Sequence, residues 1–445
     1  LLNYRYFCFL VLPSSVYNNF AVNINSWWGP NSTRNNQDTS IRPYRIVFTE
    51  SGHQELVKKF EQHRVRNHIR SFNQSHHTYG FNSIVLDEVF DFWRFQYNVK
   101  SREKYFNKFN HFLTNIEGLD IHFVRVKPDV AENVKIYPIL LLHGWPGSFR
   151  DFYEVIPILA AQQPGYDFVF EVIVPSLPGF GYSQASIKPG LSTYRTAVIL
   201  NKLMQRVGFD KFYIQGGDIG HEIASYIATV WPSKVLGFHT NTPVNFSFGS
   251  AFVWVIGAIW PGAIVDDKYA NRLYPLSDRI SFLLEESGYL HMHMTKPDTL
   301  GVSLQDSPLG LAAYILEKYI IFSDPSSKHR TEGSLERYSM TDLIDNLVVY
   351  WFTGSITTSM RLYAESLSDD IGNIWNRIPT SVPTWGLRSK HELFHQPDFI
   401  IKWKYTDFCG STYLDEGGHY AAMETPQLLA NDIFKAVNVF RKKYK

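Results

Sequence analysis

The chain has 445 residues, of which 44% are apolar and 19% charged, a balance that can bury a sizeable core and does not describe a disordered polymer. Lys+Arg 43 against Asp+Glu 42 leaves a net charge of +1, which removes the basic surplus that a general nucleic-acid binder needs against phosphates. Two cysteines, Cys8 and Cys409, exclude a disulfide framework and a four-thiolate zinc site.

At the amino end, residues 6–12 read YFCFLVL before Pro13 interrupts them, far short of the ~20 apolar residues a spanning helix needs. Because the chain opens on Leu1, two readings stand: the tail of a membrane anchor or signal segment, or an apolar patch packed on the domain. Residues 31–41 are rich in Asn, Ser and Thr and read as a loop, and 51–66 has helical spacing behind a Ser. Strand patterns follow at 119–126 and 134–142, a helix at 149–162 and a strand at 168–174. The alternation continues with a helix at 193–207, a strand at 212–215, a helix at 221–230 and a strand at 235–239. Such alternation means a parallel sheet covered by helices on both faces. Between about 245 and 348 the alternation fails and helical patterns dominate; strand-like signals return at 384–387 and near Thr412, and 426–442 closes the chain as a helix. The expected architecture is α/β, one domain interrupted by a helical insertion. Its parts are 1–26 (apolar segment), 27–115 (amino-terminal region), 116–244 (first half of the core), 245–357 (insertion) and 358–445 (second half of the core).

Chemistry concentrates at three turns. YIQGGDIGHEIA (213–224) runs strand, tight turn, helix, with Gly216 and Gly220 two residues either side of Asp218. This is the small-x-nucleophile-x-small pattern of a nucleophile elbow, carrying Asp where Ser is common. An aspartate is already ionised at neutral pH and suits displacement at an sp³ carbon, giving an ester. A helix-capping Asp in a glycine-rich turn is the plain alternative. His143-Gly144-Trp145-Pro146-Gly147 ends an apolar strand, and the N–H groups of Trp145 and Ile219 could form an oxyanion hole. Late in the chain, Gly417-Gly418-His419-Tyr420 fits the mobile-loop base in the order nucleophile, acid, His.

Taken together these stretches resemble the microsomal-type epoxide hydrolases, which include the insect juvenile hormone epoxide hydrolases. The resemblance runs from WWGP at 27–30 to the last helix, through HTYGFNS (77–83), IEGLDIHFVRVKP (116–128), HGWPGSF (143–149) and PSLPGFGYS (175–183). It continues through YIQGGD (213–218), ESGYLH (286–291), TKPDTLG (295–301), DSPLGLAAYILEK (306–318), SMRLYAES (359–366) and GGHYAAMETP (417–426). It implies an α/β-hydrolase fold with a helical lid, Asp218 as nucleophile, His419 as base, Glu392 as charge-relay acid, and Tyr289 and Tyr363 as donors to the epoxide oxygen. A lipophilic epoxide and water would be the reactants and a vicinal diol the product, with no cofactor or metal. A microsomal location, on the endoplasmic reticulum membrane and held through the amino-terminal segment, is implied as well. Two departures stand out: Ile219 where the family commonly has Trp, and Ser389-Lys390-His391 ahead of Glu392 in place of an aromatic and proline run.

Other readings compete. His391-Glu392-Leu393-Phe394-His395 matches HExxH, which needs a helix to put both histidines on one metal. A haloalkane dehalogenase also attacks with Asp on this fold, and a non-catalytic lipid-binding descendant would keep the pocket without turnover. His291 and His293 alternate as ligands could, although packing or loop roles explain them.

Overall fold

The computed structural model describes residues 26–62, 70–245 and 248–443. The apolar run 6–12, Cys8 and the last residues of the helix expected over 51–66 lie outside them. Nine strands form one sheet: β1 (Arg42–Tyr44), β2 (Asn110–Ile116), β3 (Leu119–Val126), β4 (Lys135–Leu142), β5 (Phe168–Pro175), β6 (Phe212–Gly216), β7 (Val235–Thr240), β8 (Thr384–Arg388) and β9 (Phe408–Tyr413). Their order is β1-β2-β3-β5-β4-β6-β7-β8-β9. From β5 to β9 every pairing is parallel. The inner strands are apolar runs without alternation, as burial on both faces requires; Ile139, Leu140, Phe170, Val172 and Ile214 are all fully buried.

The sheet differs from the all-parallel expectation at one edge, where β1, β2 and β3 pair antiparallel, and β3 with β5 likewise. Between β2 and β3 the cause is a two-residue turn. Glu117 and Gly118 both hold positive φ (54° and 89°), the geometry that joins neighbouring antiparallel strands tightly. Trp28 Nε1–H and Lys202 Nζ both donate to the Glu117 carboxylate, which fastens that turn.

Several other elements differ from expectation. Residues 31–36 form a 3-10 helix. The single helix expected over 149–162 is a 3-10 turn, Phe149–Phe152, capped at its start by Ser148, and a short helix, Ile156–Ala160, with Pro157 in its first turn. The helix after β6 begins at Ile219, two residues earlier than its pattern suggested. Helices Ser83–Phe95 and Val99–Phe106 were not read from the sequence at all; Asn82 and Asn98 cap them by accepting from backbone N–H groups. By contrast Thr193–Val207 keeps its expected bounds, with Ser192 capping its start and Gly208 (φ 100°) ending it.

Between β7 and β8 the described chain is helical. Helices Gly288–Thr295, Pro308–Ser323, Met340–Thr353 and Ile356–Leu367 bear most directly on the site. A buried charge network holds this segment to the rest. Asp345 accepts from Tyr97 Oη (2.8 Å), Arg102 Nε (2.8 Å) and Arg150 Nε (3.1 Å), and Arg150 also pairs with Asp342. Taking one partner from such a set strands a buried charge, a loss of roughly 3–5 kcal/mol.

Candidate active site

Parallel strands release their loops on one side, so the ends of β4, β6, β8 and β9 converge. Leu142 at the end of β4 pairs with Gly216 at the end of β6, which sets the turn at 143–147 beside the elbow. In that elbow Asp218 takes φ 53°, ψ −131°, a conformation that costs a non-glycine residue of order 1–3 kcal/mol and persists only where packing imposes it. Packing does so here: a Cβ on Gly220 would stand 2.3 Å from the Leu142 carbonyl oxygen, so the helix start can lie against β4 only without a side chain.

The strained turn presents the Asp218 carboxylate to donors. Trp145 N–H donates to Oδ1 at 2.8 Å, and the Ile219 N–H bonds the same carboxylate. The close fit also explains Gly144, whose Cβ would lie 2.3 Å from Oδ1. His419 follows β9 and stands 3.5 Å from Asp218 Oδ2 through Nε2, while its Nδ1 bonds Glu392 Oε1 at 2.9 Å. Glu392, after β8, also accepts from the Leu393 N–H at 2.8 Å. The His419 loop is pinned by Glu424, which accepts from the N–H groups of Gly418 and Tyr420 (both 3.0 Å), and by the His419 N–H donating to the Phe322 carbonyl at 3.0 Å.

Opposing forces set the charges. Burial alone would raise the carboxyl pKa of Asp218, but the hydrogen bond and charge of His419, with the two amides, hold it below the usual carboxylate range. Burial alone would lower His419; the charges and hydrogen bonds of Glu392 and Asp218 outweigh it and raise its pKa well above the ordinary imidazole value. The resting pair is therefore a carboxylate facing an imidazolium.

Tyr289 and Tyr363 come from helices Gly288–Thr295 and Ile356–Leu367 and reach the same place. Tyr289 stacks on Trp145 (centroids 5.4 Å apart), and Tyr363 meets the edge of Trp145 at 6.3 Å. Burial first, then the Asp218 charge, pushes both phenol pKa values up, so both stay protonated through neutral pH. All seven residues singled out in the sequence thus share one site. His293, assigned only packing, lies four residues after Tyr289 on the same helix face and packs 4.5 Å from Trp145 and 5.0 Å from Tyr363. Burial lowers its pKa to about 3 and its Nε2 meets the Tyr314 hydroxyl at 2.9 Å, a neutral wall of the pocket. The i, i+4 spacing from Tyr289 was the signal for it.

Residues 391–395 form no helix. His391 faces Asp324 at 3.7 Å, Glu392 bonds His419, and His395 packs against Tyr269 and Tyr413, so the three side chains diverge and the zinc reading fails on geometry.

Strand order, elbow and late His make the chain an α/β-hydrolase, and comparison with known proteins narrows the class. A family model described as "Epoxide hydrolase N terminus" matches residues 41–152, and one described as "alpha/beta hydrolase fold" matches 137–299. The juvenile hormone epoxide hydrolase of Bombyx mori is 45% identical over 423 residues, 95% of this chain and 91% of that one. Epoxide hydrolase 1 of Oryctolagus cuniculus is 39% identical over 425 residues, 94% and 93% of the two chains. The crystal structure of the silkworm enzyme matches with a TM-score of 0.93, covering 95% of this chain and 100% of that one. This chain belongs to the epoxide hydrolase family and is an epoxide hydrolase. The dehalogenase and non-catalytic readings are set aside with that result.

Proposed function

We propose that Asp218 opens lipophilic epoxides by direct attack and that His419 directs water at the resulting ester. The observation that carries this is a carboxylate, not a hydroxyl, held at the elbow by backbone amides, with an imidazole–carboxylate pair behind it and two half-buried phenols alongside. Oδ1 accepts from the Trp145 N–H, which leaves Oδ2, facing His419 at 3.5 Å, as the attacking atom. As the C–O bond of the ring breaks, negative charge grows on the epoxide oxygen, and a phenol O–H from Tyr289 or Tyr363 stabilises it and delivers a proton. Ester formation cancels the Asp218 charge, one of the influences that keep His419 protonated, so the imidazole releases its proton, restoring the phenol, and becomes a base. Glu392 orients it and offsets the positive charge that returns. Trp145 and Ile219 N–H groups then stabilise the oxyanion of ester hydrolysis. Since the backbone supplies that donor, Ile219 serves as well as a Trp.

The ring cluster of Trp145, Tyr289, Tyr363, His293 and Phe322 favours apolar substrates, and the similarity to juvenile hormone epoxide hydrolases supports terpenoid epoxides of that type, with xenobiotic epoxides as further substrates. The family resemblance and the apolar run 6–12 support attachment to the endoplasmic reticulum membrane; among the described residues no helix is long and apolar enough to cross a bilayer. Steady-state assay of an epoxide panel tests the substrate class: long apolar terpenoid epoxides are expected to give the highest kcat/KM, and a preference for small polar epoxides would contradict it. In the same assay, Tyr289→Phe and Tyr363→Phe should each slow ester formation by about 10- to 100-fold, and the double variant by more than either. Wild-type rates in the double variant would remove the phenols from the reaction.

A further inference from the structure

Beside Asp218 and His419 lies a small cavity of about 50 Å³. Its lining includes Trp145, Asp151, Gln215, Asp218, His419 and Tyr420, while neither Tyr289 nor Tyr363 contributes. Three of those residues turn a buried polar atom with no protein partner: Asp151 Oδ1, Gln215 Oε1 and the Tyr420 hydroxyl. A water site needs roughly 10–15 Å³ and two to four polar partners, and this cavity offers both.

Asp151 is the unusual member. It is 9% exposed, and the neighbouring Arg150 spends its guanidinium on Asp342 and Asp345. It belongs to the same turn system as the reacting carboxylate: a Cβ on Gly144 would meet Asp218 Oδ1 at 2.3 Å, and one on Gly147 would meet Asp151 Oδ2 at 2.1 Å. One glycine turn therefore seats both carboxyl groups. Gln215 is held in place by its amide N–H donating to Asn241 Oδ1 at 2.9 Å, which leaves its carbonyl free for the cavity. Burial lifts the Asp151 pKa to about 7, against weaker lowering by a Ser148 backbone hydrogen bond and the Arg150 charge, so the carboxyl can donate as well as accept.

We propose that this cavity binds the hydrolytic water, and that Asp151, with Gln215 and Tyr420, is a positioning residue that supplies it to His419. The inference rests on the ester mechanism proposed above. In the step concerned, the water oxygen bonds to Asp218 Cγ, one water proton passes to His419 Nε2, and the carbonyl electron pair moves onto Oδ1. Collapse breaks the bond between Cγ and Oδ2, the oxygen with which Asp218 attacked, and that oxygen leaves in the diol with the proton from His419. The new carboxyl then gives its remaining proton back to the imidazole, restoring the resting ion pair. Asp151 neither gains nor loses a bond; it orients the water.

Rapid-mix kinetics with mass detection of the ester separate the two chemical steps. Asp151→Leu should slow ester hydrolysis by about tenfold or more, the worth of one well-placed hydrogen bond, with ester formation within about twofold of wild type. Asp151→Asn, which keeps the polar contacts, should recover most of the loss, and Gln215→Leu should show the same step-selective defect. Ester hydrolysis at the wild-type rate in Asp151→Leu would overturn the proposal. So would an equal fall in both steps in Asp151→Leu and Gln215→Leu, which would mark a purely structural role. Absence of any ester in His419→Gln, by contrast, would strike the underlying mechanism and not this cavity.

Discussion

Asp218→Ala is expected to abolish diol formation, lowering kcat/KM by at least about ten-thousand-fold, because no other group stands where an ester could form. The size follows from what is lost. Without the carboxylate the epoxide can be opened only by water, and the amides of Trp145 and Ile219, His419 and the two phenols then have no covalent intermediate to act on. The fold should survive, since alanine keeps the Cβ that the turn already accommodates at φ 53° and His419 retains its Glu392 partner. Circular dichroism and thermal unfolding would show a native variant, and chromatographic assay of the diol would show no turnover. Near-normal diol formation by that variant would remove Asp218 from the mechanism.

His419→Gln should split the reaction at its midpoint. Ester formation needs the carboxylate and the phenols, so it should persist; hydrolysis needs a base, so it should fall by about a thousandfold or more. Under turnover conditions the variant should therefore gain the mass of one substrate molecule, and peptide mapping should place it on Asp218. Loss of the imidazolium also removes a partner of the Asp218 carboxylate, so a modest slowing of the first step is consistent. An unmodified protein after long incubation with substrate would show that His419 has another task.

The core was legible where backbone geometry and hydrophobic burial dictate the same residues. Thr193–Val207 carries a Ser cap and a terminal glycine, and its bounds could be read directly. Asp218 was legible because a helix start packed against β4 admits only glycine at 220. The amino-terminal edge was harder: β1 is three residues long, and β2 reads Asn-His-Phe-Leu-Thr-Asn-Ile with buried His111 and Thr114, so apolar alternation is weak there. Nothing in that pattern shows that Glu117 holds a left-handed turn. The helix expected over 149–162 failed because its apolar spacing continues through the break at 153–155, although Pro157 suits the first turn of a second helix. In the site, Asp218, Trp145, Ile219 and His419 were readable by type and spacing and Glu392, Tyr289 and Tyr363 through the family resemblance, whereas His293 and Asp151 lie outside every motif and Gln215 sits in one without a role of its own. Their positions depend on which helices and strand ends meet, and that is decided by packing between residues far apart in the chain.

A single turnover in oxygen-18 water, with enzyme in excess over an apolar epoxide, addresses the covalent route most directly. Attack by Asp218 predicts that the first diol carries unlabelled oxygen and that the label appears in the Asp218 carboxylate, found by mass spectrometry of the elbow peptide. Label in the first diol, with an unlabelled enzyme, would mean that water opens the ring itself and that no ester is made.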